Sequence, residues 1–152
     1  PGFQRDRLLP ACLGLDPQHA LAWHNLGARG GGEVGGQAFS KIACIQHSLA
    51  LDPQCAMAWN NLGGAGGGEV GGEAFSEIDC IRRALALDPM CASAWNNLAS
   101  ASNDLDWAGG GEVGGQAFSE IACYQRALAL DPQYAATWKN LALAGGGEVG
   151  GQ

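Results

Sequence analysis

A repeat of fixed period is the feature that most constrains this chain. Four tryptophans recur at steps of 36, 36 and 43 residues, at Trp23, Trp59, Trp95 and Trp138. Leu-Asp-Pro triplets follow the same steps and end at Pro17, Pro53, Pro89 and Pro132. A period of about 20 to 50 residues is typical of stacked repeats, in which one unit needs a neighbour to bury its apolar face. We therefore expect a linear array of units.

The repeat divides the chain into three complete units with a half-unit on each side. The predicted segments are residues 1–17 (half-repeat), 18–53, 54–89, 90–132 and 133–152 (half-repeat). The third unit is longer by seven residues, because Ala99 to Ala108 stands where the others have three residues. Seven residues make about two helical turns, so the preceding helix can lengthen without rotating its apolar face. Trp107 in this insertion is expected to extend the core or to cap a groove.

Each unit is predicted to contain two helices, A and B. Helix A of the first unit carries residues at spacings of three and four, which indicate one helix face, at Ala20, Trp23, Leu26 and Gly27. Asp16, before Pro17, is expected to cap this helix. Helix B is predicted over about residues 37–50, with Lys41, Gln46 and His47 pointing away from an apolar face formed by Phe39, Ile42, Ile45 and Leu49.

A glycine-rich block, GGGEVGG, separates the two helices and occurs at residues 30–36, 66–72, 109–115 and 145–151. Each glycine costs a helix about 0.5 to 1 kcal/mol relative to alanine, so the block is predicted to be a turn or a frayed helix end. It also matches G-x-G-x-x-G. That motif binds a dinucleotide where a strand precedes it and an acidic residue follows about 20 residues later, whereas here a helix precedes it. No cofactor is predicted.

The units resemble the tetratricopeptide repeat, whose pattern is Trp-x2-Leu-Gly, then Ala, then an aromatic residue, then Pro. The matching segments begin with Trp23-His-Asn-Leu26-Gly27 and Trp59-Asn-Asn-Leu62-Gly63, and they continue with Ala84 or Ala127 before Leu-Ala-Leu-Asp-Pro. The resemblance covers almost the whole chain. It implies an all-α fold, an α-solenoid of antiparallel helix pairs with a right-handed superhelix, which binds other proteins and performs no chemistry.

Charge and hydropathy narrow the classes of partner. The net charge is −7, and the eight Lys and Arg residues are scattered, so a nucleic-acid partner is not expected. No apolar run reaches the roughly 18 to 20 residues that cross a bilayer, so no membrane span is predicted. The three histidines have no acid or nucleophile in a recurring relation to them, which argues against an enzyme.

The six cysteines are periodic. Cys44, Cys80 and Cys123 share one place on helix B, whereas Cys55 and Cys91 open helix A. Antiparallel helices would bring Cys55 near Cys44 or Cys80, and Cys91 near Cys80 or Cys123, so a disulfide is one interpretation. The other is that they are small buried residues, since His19 and Tyr134 replace the cysteine that opens helix A in two units. Zinc is disfavoured because no C-x2-C pair exists.

An asparagine ladder runs along helix A, at Asn25, Asn61, Asn97 and Asn140. These positions resemble those through which the family contacts peptides, and an amide can bond both the N–H and the C=O of an extended peptide. The family's clamp for acidic tails also needs Lys or Arg, but the positions one turn earlier are Leu21, Met57, Ser93 and Ala136. The alternative is that the ladder ties adjacent A helices together.

Both ends of the chain are half-units, so each is expected to present apolar residues to water. The residues concerned are Phe3, Leu8, Leu9 and Leu13 at one end, and Trp138, Leu141 and Leu143 at the other. Solenoids normally end in polar capping repeats. Two interpretations remain: a fragment of a longer array, or a head-to-tail contact between copies that does not close and builds a filament. The functional hypothesis is therefore a self-assembling, non-enzymatic scaffold, with a peptide-binding adaptor that uses the concave Asn-lined face as the alternative.

Overall fold

The computed structural model describes residue 10, residues 12–14, residues 16–102 and residues 110–145. Between residues 16 and 145 of the described part, the chain forms seven α-helices and three two-stranded antiparallel sheets, and residues 12–14 are also helical. The helices are α1 (Ala20–Ala28), α2 (Lys41–Leu51), α3 (Ala56–Gly63), α4 (Glu77–Leu87), α5 (Ala92–Ser102), α6 (Glu120–Leu130) and α7 (Ala135–Leu143). The strands are β1 (Gly31–Val34), β2 (Gln37–Ser40), β3 (Gly67–Val70), β4 (Glu73–Ser76), β5 (Gly110–Val113) and β6 (Gln116–Ser119).

The prediction of an all-α solenoid is wrong, because a β-hairpin stands between the two helices of each unit. The order helix, hairpin, helix occurs three times, and α7 follows as a further helix A. The chain is thus a mixed α/β repeat. The expected half-repeat at residues 1–17, the inserted Trp107 and the last glycine block lie wholly or largely outside the described residues.

The glycine block forms the hairpin, and its last two glycines make the turn. In the second unit Gly71 and Gly72 have φ of 62° and 86°, the positive values that a two-residue type I′ turn requires at both central positions. Val70 pairs with Glu73 next to the turn, followed by Glu69 with Ala74 and Gly68 with Phe75. The glycines therefore shape a connection that pairs its own backbone groups.

Helix B begins later than predicted, since its expected first turn belongs to the second strand of the hairpin. Phe39 accordingly lies on β2 and not on a helix face. Ser40, Ser76 and Ser119 cap the three B helices by accepting a backbone N–H three residues on, at 3.1 to 3.2 Å. Asp79 adds a capping box by accepting the backbone N–H of Ser76 at 3.3 Å.

The Asp-Pro turn between units is held by two recurring hydrogen bonds. The aspartate Oδ1 accepts the backbone N–H two residues later at 2.9 to 3.0 Å, in all four turns. This aspartate thus stabilises the turn, and the N-cap of α1 is His19 instead of Asp16. Each repeat tryptophan donates its indole N–H to the carbonyl of the proline six residues earlier, at 2.8 to 2.9 Å.

The buried core consists of a main cluster, which extends from Ile45 to Leu141, and a smaller cluster around Trp23. Its central side chains repeat from unit to unit, as Trp59 and Trp95, Leu62 and Leu98, Ile81 and Tyr124, and Leu85 and Leu128. Helices A and B approach closely at Gly63, where an added Cβ would lie 2.6 Å from Ile81 Cγ1 and 3.1 Å from the Glu77 carbonyl. The corresponding residue of the third unit is Ala99, which is fully buried. The larger residue is therefore accommodated in that unit.

Candidate protein interface

The four predicted asparagines lie on helix A, one on each of α1, α3, α5 and α7. Asn25 is exposed, whereas Asn61, Asn97 and Asn140 are half-buried. Asn61 and Asn97 are each preceded by a second asparagine, and these two residues, Asn60 and Asn96, have buried side chains. A buried amide is stable only with hydrogen-bond partners, and both find theirs on the next helix A.

Hydrogen bonds between these amides connect successive A helices. Asn97 Nδ2 donates to Asn60 Oδ1 at 3.0 Å, and Asn140 Nδ2 donates to Asn96 Oδ1 at 3.3 Å. Asn60 Nδ2 also donates to Ser93 Oγ at 3.1 Å. Two of the four predicted asparagines, Asn97 and Asn140, therefore donate a hydrogen bond to a neighbouring helix A. This is the arrangement that the alternative interpretation of the ladder describes.

The third junction is further strengthened by a buried hydroxyl. Thr137 Oγ1 donates to Asn96 Oδ1 at 3.1 Å, and Thr137 is fully buried. The first unit differs, because His24 stands where the later units have Asn60 and Asn96. Within the described residues its buried Nδ1 has no hydrogen-bond partner, and burial lowers the pKa of His24. Burial of His24 thus favours the neutral imidazole.

Three rows of residues form an uncharged stripe along the A helices, which we call the A stripe. The rows repeat at i, i+4 and i+7, so they share one helix face. They consist of Leu21, Met57, Ser93 and Ala136; Asn25, Asn61, Asn97 and Asn140; and Ala28, Gly64, Ser100 and Leu143. Leu21 is 58% exposed, Met57 is 47% exposed and Leu143 is 77% exposed. Apolar side chains therefore stand in solvent beside amides.

A pocket opens on the A stripe between α5 and α7. Its volume is about 320 Å³, and it is lined by Ser100, Glu120, Tyr124, Asn140, Leu143 and Ala144. The Tyr124 hydroxyl lies 3.2 Å from Ser100 Oγ, and burial raises the pKa of Tyr124. A hydroxyl pair, an amide and a leucine can together receive a side chain that is apolar with one polar atom.

Each hairpin covers the repeat tryptophan of its own unit, which the helical interpretation missed. Phe39, Phe75 and Phe118 contact Trp23, Trp59 and Trp95 edge to face, with ring centroids 4.8 to 4.9 Å apart. Helix B adds a third group: His47 stacks on Trp23 at 4.6 Å, Arg83 lies 5.0 Å over Trp59 and Arg126 lies 6.0 Å over Trp95. His47 thus contacts the core edge instead of pointing away.

The last repeat tryptophan differs from the other three. Trp138 is 45% exposed, whereas Trp23, Trp59 and Trp95 are at most 4% exposed. Two residues expected to face water do not: Leu13 is fully buried beside Trp23, and Leu141 is buried in the main core. Phe3, Leu8 and Leu9 lie outside the described residues.

All six cysteines are free thiols in the structure. Cys44, Cys80 and Cys123 are fully buried, and Cys44 and Cys80 lie where helix A approaches helix B through Gly27 and Gly63. Burial raises the pKa of Cys44, and it raises that of Cys80 to about 11 and that of Cys123 to about 12. The disulfide alternative, which includes Cys55 and Cys91, stays a prediction for a thiol count in denaturant.

Comparison with known families identifies one segment. Residues 75–102 match the model of the protein prenyltransferase alpha subunit repeat, a helical repeat similar to the tetratricopeptide repeat. The matched segment contains α4, the Asp-Pro turn and α5, so it joins helix B of one unit to helix A of the next. No curated protein matches the chain.

In the described part of the chain, no helix has the length and apolar character needed to span a bilayer.

Proposed function

We propose that this chain is a non-enzymatic scaffold that binds other proteins, and that the A stripe is its recognition surface. The carrying observation is that exposed apolar side chains, Leu21, Met57 and Leu143, share one face with the amide row. Exposed apolar side chains with polar groups beside them are a feature of protein-binding sites. The match of residues 75–102 to a helical repeat agrees with a scaffold role.

The chemistry of the stripe selects an uncharged, extended segment as its partner. None of the twelve stripe residues is charged, so an acidic tail finds no counter-ion among them, and the pocket beside Asn140 adds one carboxylate, that of Glu120. Amides can bond an extended backbone, while Met57 and the pocket beside Asn140 accept apolar side chains. Methionine suits such a surface because its flexible side chain adapts to different partners.

Selection of peptides from a random displayed library tests this surface. Peptides enriched on the chain should be uncharged and apolar, and Met57→Lys should weaken their binding at least tenfold because it places a charge in the stripe. Met90→Lys is the matched control, since Met90 is also exposed but lies in the Asp-Pro turn outside the stripe. Equal binding to both variants would reject the A stripe. Asn61→Ala is a further variant, because no inter-helix hydrogen bond described above uses Asn61.

Head-to-tail self-assembly is a second candidate, favoured by the exposure of Trp138. In each of the three units with a described hairpin, a phenylalanine and a histidine or arginine cover the equivalent indole. A second copy that covers Trp138 would bury the same ring. Analytical ultracentrifugation should then show association that grows with concentration and that Trp138→Lys abolishes. A single monomeric species at high micromolar concentration would exclude self-assembly.

A further inference from the structure

A groove on the helix-B side of the array joins the second unit to the third. Its volume is about 570 Å³. One wall is formed by Glu73, Ala74 and Phe75 of the second hairpin, and the other by Glu112, Val113 and Gly114 of the third. The floor is α4, through Asp79, Arg82, Arg83 and Ala86. Two strands, β4 and β5, from separate sheets therefore face one cleft.

The hairpin register shows which backbone groups these strands leave unpaired. In a two-residue hairpin the residues next to the turn exchange two hydrogen bonds, and the following pair exchanges none. Ala74 pairs with Glu69 in that second position, and Glu112 pairs with Ala117 in the same position of the third hairpin. The N–H and C=O of Ala74 and Glu112 therefore point away from their own hairpins, and both residues line the groove.

We infer that this groove binds an extended, basic peptide segment, which adds a strand between the two hairpins. Strand addition uses the open backbone groups for affinity and side chains for specificity. Three exposed carboxylates line the groove, on Glu73, Asp79 and Glu112. Two arginines also line the groove, so the carboxylates outnumber the cations by three to two. Arg82 is half-buried, and the guanidinium of the exposed Arg83 lies over the Trp59 and Phe75 rings at 5.0 and 5.9 Å. Lysine side chains on the inserted strand would complement this excess of negative charge.

The corresponding groove one unit earlier shows why the site is specific to this junction. It is smaller, about 370 Å³, and its lining includes Glu69 and His47 but no residue of β2. Its equivalents of Glu73 and Asp79 are Gln37 and Ala43, and its equivalents of Arg82 and Arg83 are Gln46 and His47, so two of the three carboxylates and both arginines are absent there. The inferred site therefore depends on side chains that differ between units and not on the repeat alone.

The test uses the full chain and two labelled heptapeptides, one of alternating valine and lysine and one of alternating valine and glutamate. Fluorescence anisotropy at moderate salt should show at least tenfold tighter binding of the lysine peptide. Ala74→Pro should weaken that binding at least tenfold, because it removes an outward N–H without breaking a hydrogen bond of the hairpin. Ala117→Pro is the control, since Ala117 has the same hairpin position but does not line this groove; it should change binding less than twofold.

Hydrogen exchange of the unmodified chain provides a readout that needs no variant. The lysine peptide should slow exchange of the Ala74 and Glu112 amides and leave that of Ala117 unchanged. Equal effects of the two proline variants, equal binding of the two peptides, or unchanged exchange at Ala74 would each overturn the inference. Met57→Lys should leave the lysine peptide bound, so this site and the A stripe can fail independently.

Discussion

The buried amide of Asn96 offers the sharpest test of how the units are joined. Its Oδ1 accepts hydrogen bonds from Thr137 and Asn140 at 3.1 and 3.3 Å. Each bond contributes about 0.5 to 1.5 kcal/mol, and a buried hydroxyl left without a partner costs about 1 to 3 kcal/mol. Thr137 is fully buried, whereas the half-exposed Asn140 can turn to water. Asn96→Ala should therefore lower the free energy of unfolding by about 2 to 3 kcal/mol.

A double-mutant cycle separates the lost bonds from the stranded hydroxyl. Thr137→Val removes the hydroxyl, so the combined variant should be more stable than the sum of the single changes predicts, by about 1 to 2 kcal/mol. Urea unfolding followed by tryptophan fluorescence and circular dichroism provides the free energies. Asn25→Ala is the matched control and should stay within about 0.5 kcal/mol, because Asn25 is exposed. Additive single changes, or an Asn96→Ala cost near that of the control, would refute this account of the junction.

Three further predictions concern the hairpins and the thiols. Phe75→Ala should lower the free energy of unfolding by about 2 to 4 kcal/mol and shift the fluorescence of Trp59 to longer wavelength, because the half-buried ring that covers the indole is lost. Phe75→Leu should lower the free energy of unfolding by less. Gly71→Asn should leave the melting temperature nearly unchanged, whereas Gly71→Val should lower it by several degrees, because valine is strained at a φ of 62°. Above about pH 8.5 the thiols of the unfolded chain ionise. In the folded protein Cys80 and Cys123 remain protonated up to pKa values of about 11 and 12. The free energy of unfolding should therefore fall as the pH rises above about 8.5, and it should fall less steeply in Cys123→Ala.

The apolar spacing along helix A predicted its buried residues correctly, because residues three and four apart lie on the same face of a helix. Trp59, Leu62 and Gly63 are all buried on α3, as their spacing predicts. The amide chemistry was harder to assign, since adjacent residues such as Asn60 and Asn61 differ by only about 100° around the helix. Periodicity identified the outer residue of each pair, while the neighbouring helix decides that the inner one is buried.

The hairpins were missed because their sequence carries opposing signals. Val70-Gly71-Gly72-Glu73 is a two-residue hairpin turn with glycine at both positions, which is a recognisable pattern. The flanking residues, however, include glycines with low strand propensity, and Phe75 continues the spacing of helix B. Contact of the Phe75 ring with Trp59 favours the strand over the helix. That tertiary contact lies outside the reach of local pattern analysis.

The glycine turns have a consequence for how this chain could be modified. A Cβ added at Gly35, Gly36, Gly71, Gly72, Gly114 or Gly115 would meet no atom within 4 Å, so there is open space beside each turn. Lengthening an exposed loop costs only about 0.6 kcal/mol for each doubling of its length. Foreign sequences inserted at these turns would be displayed once per unit along the array.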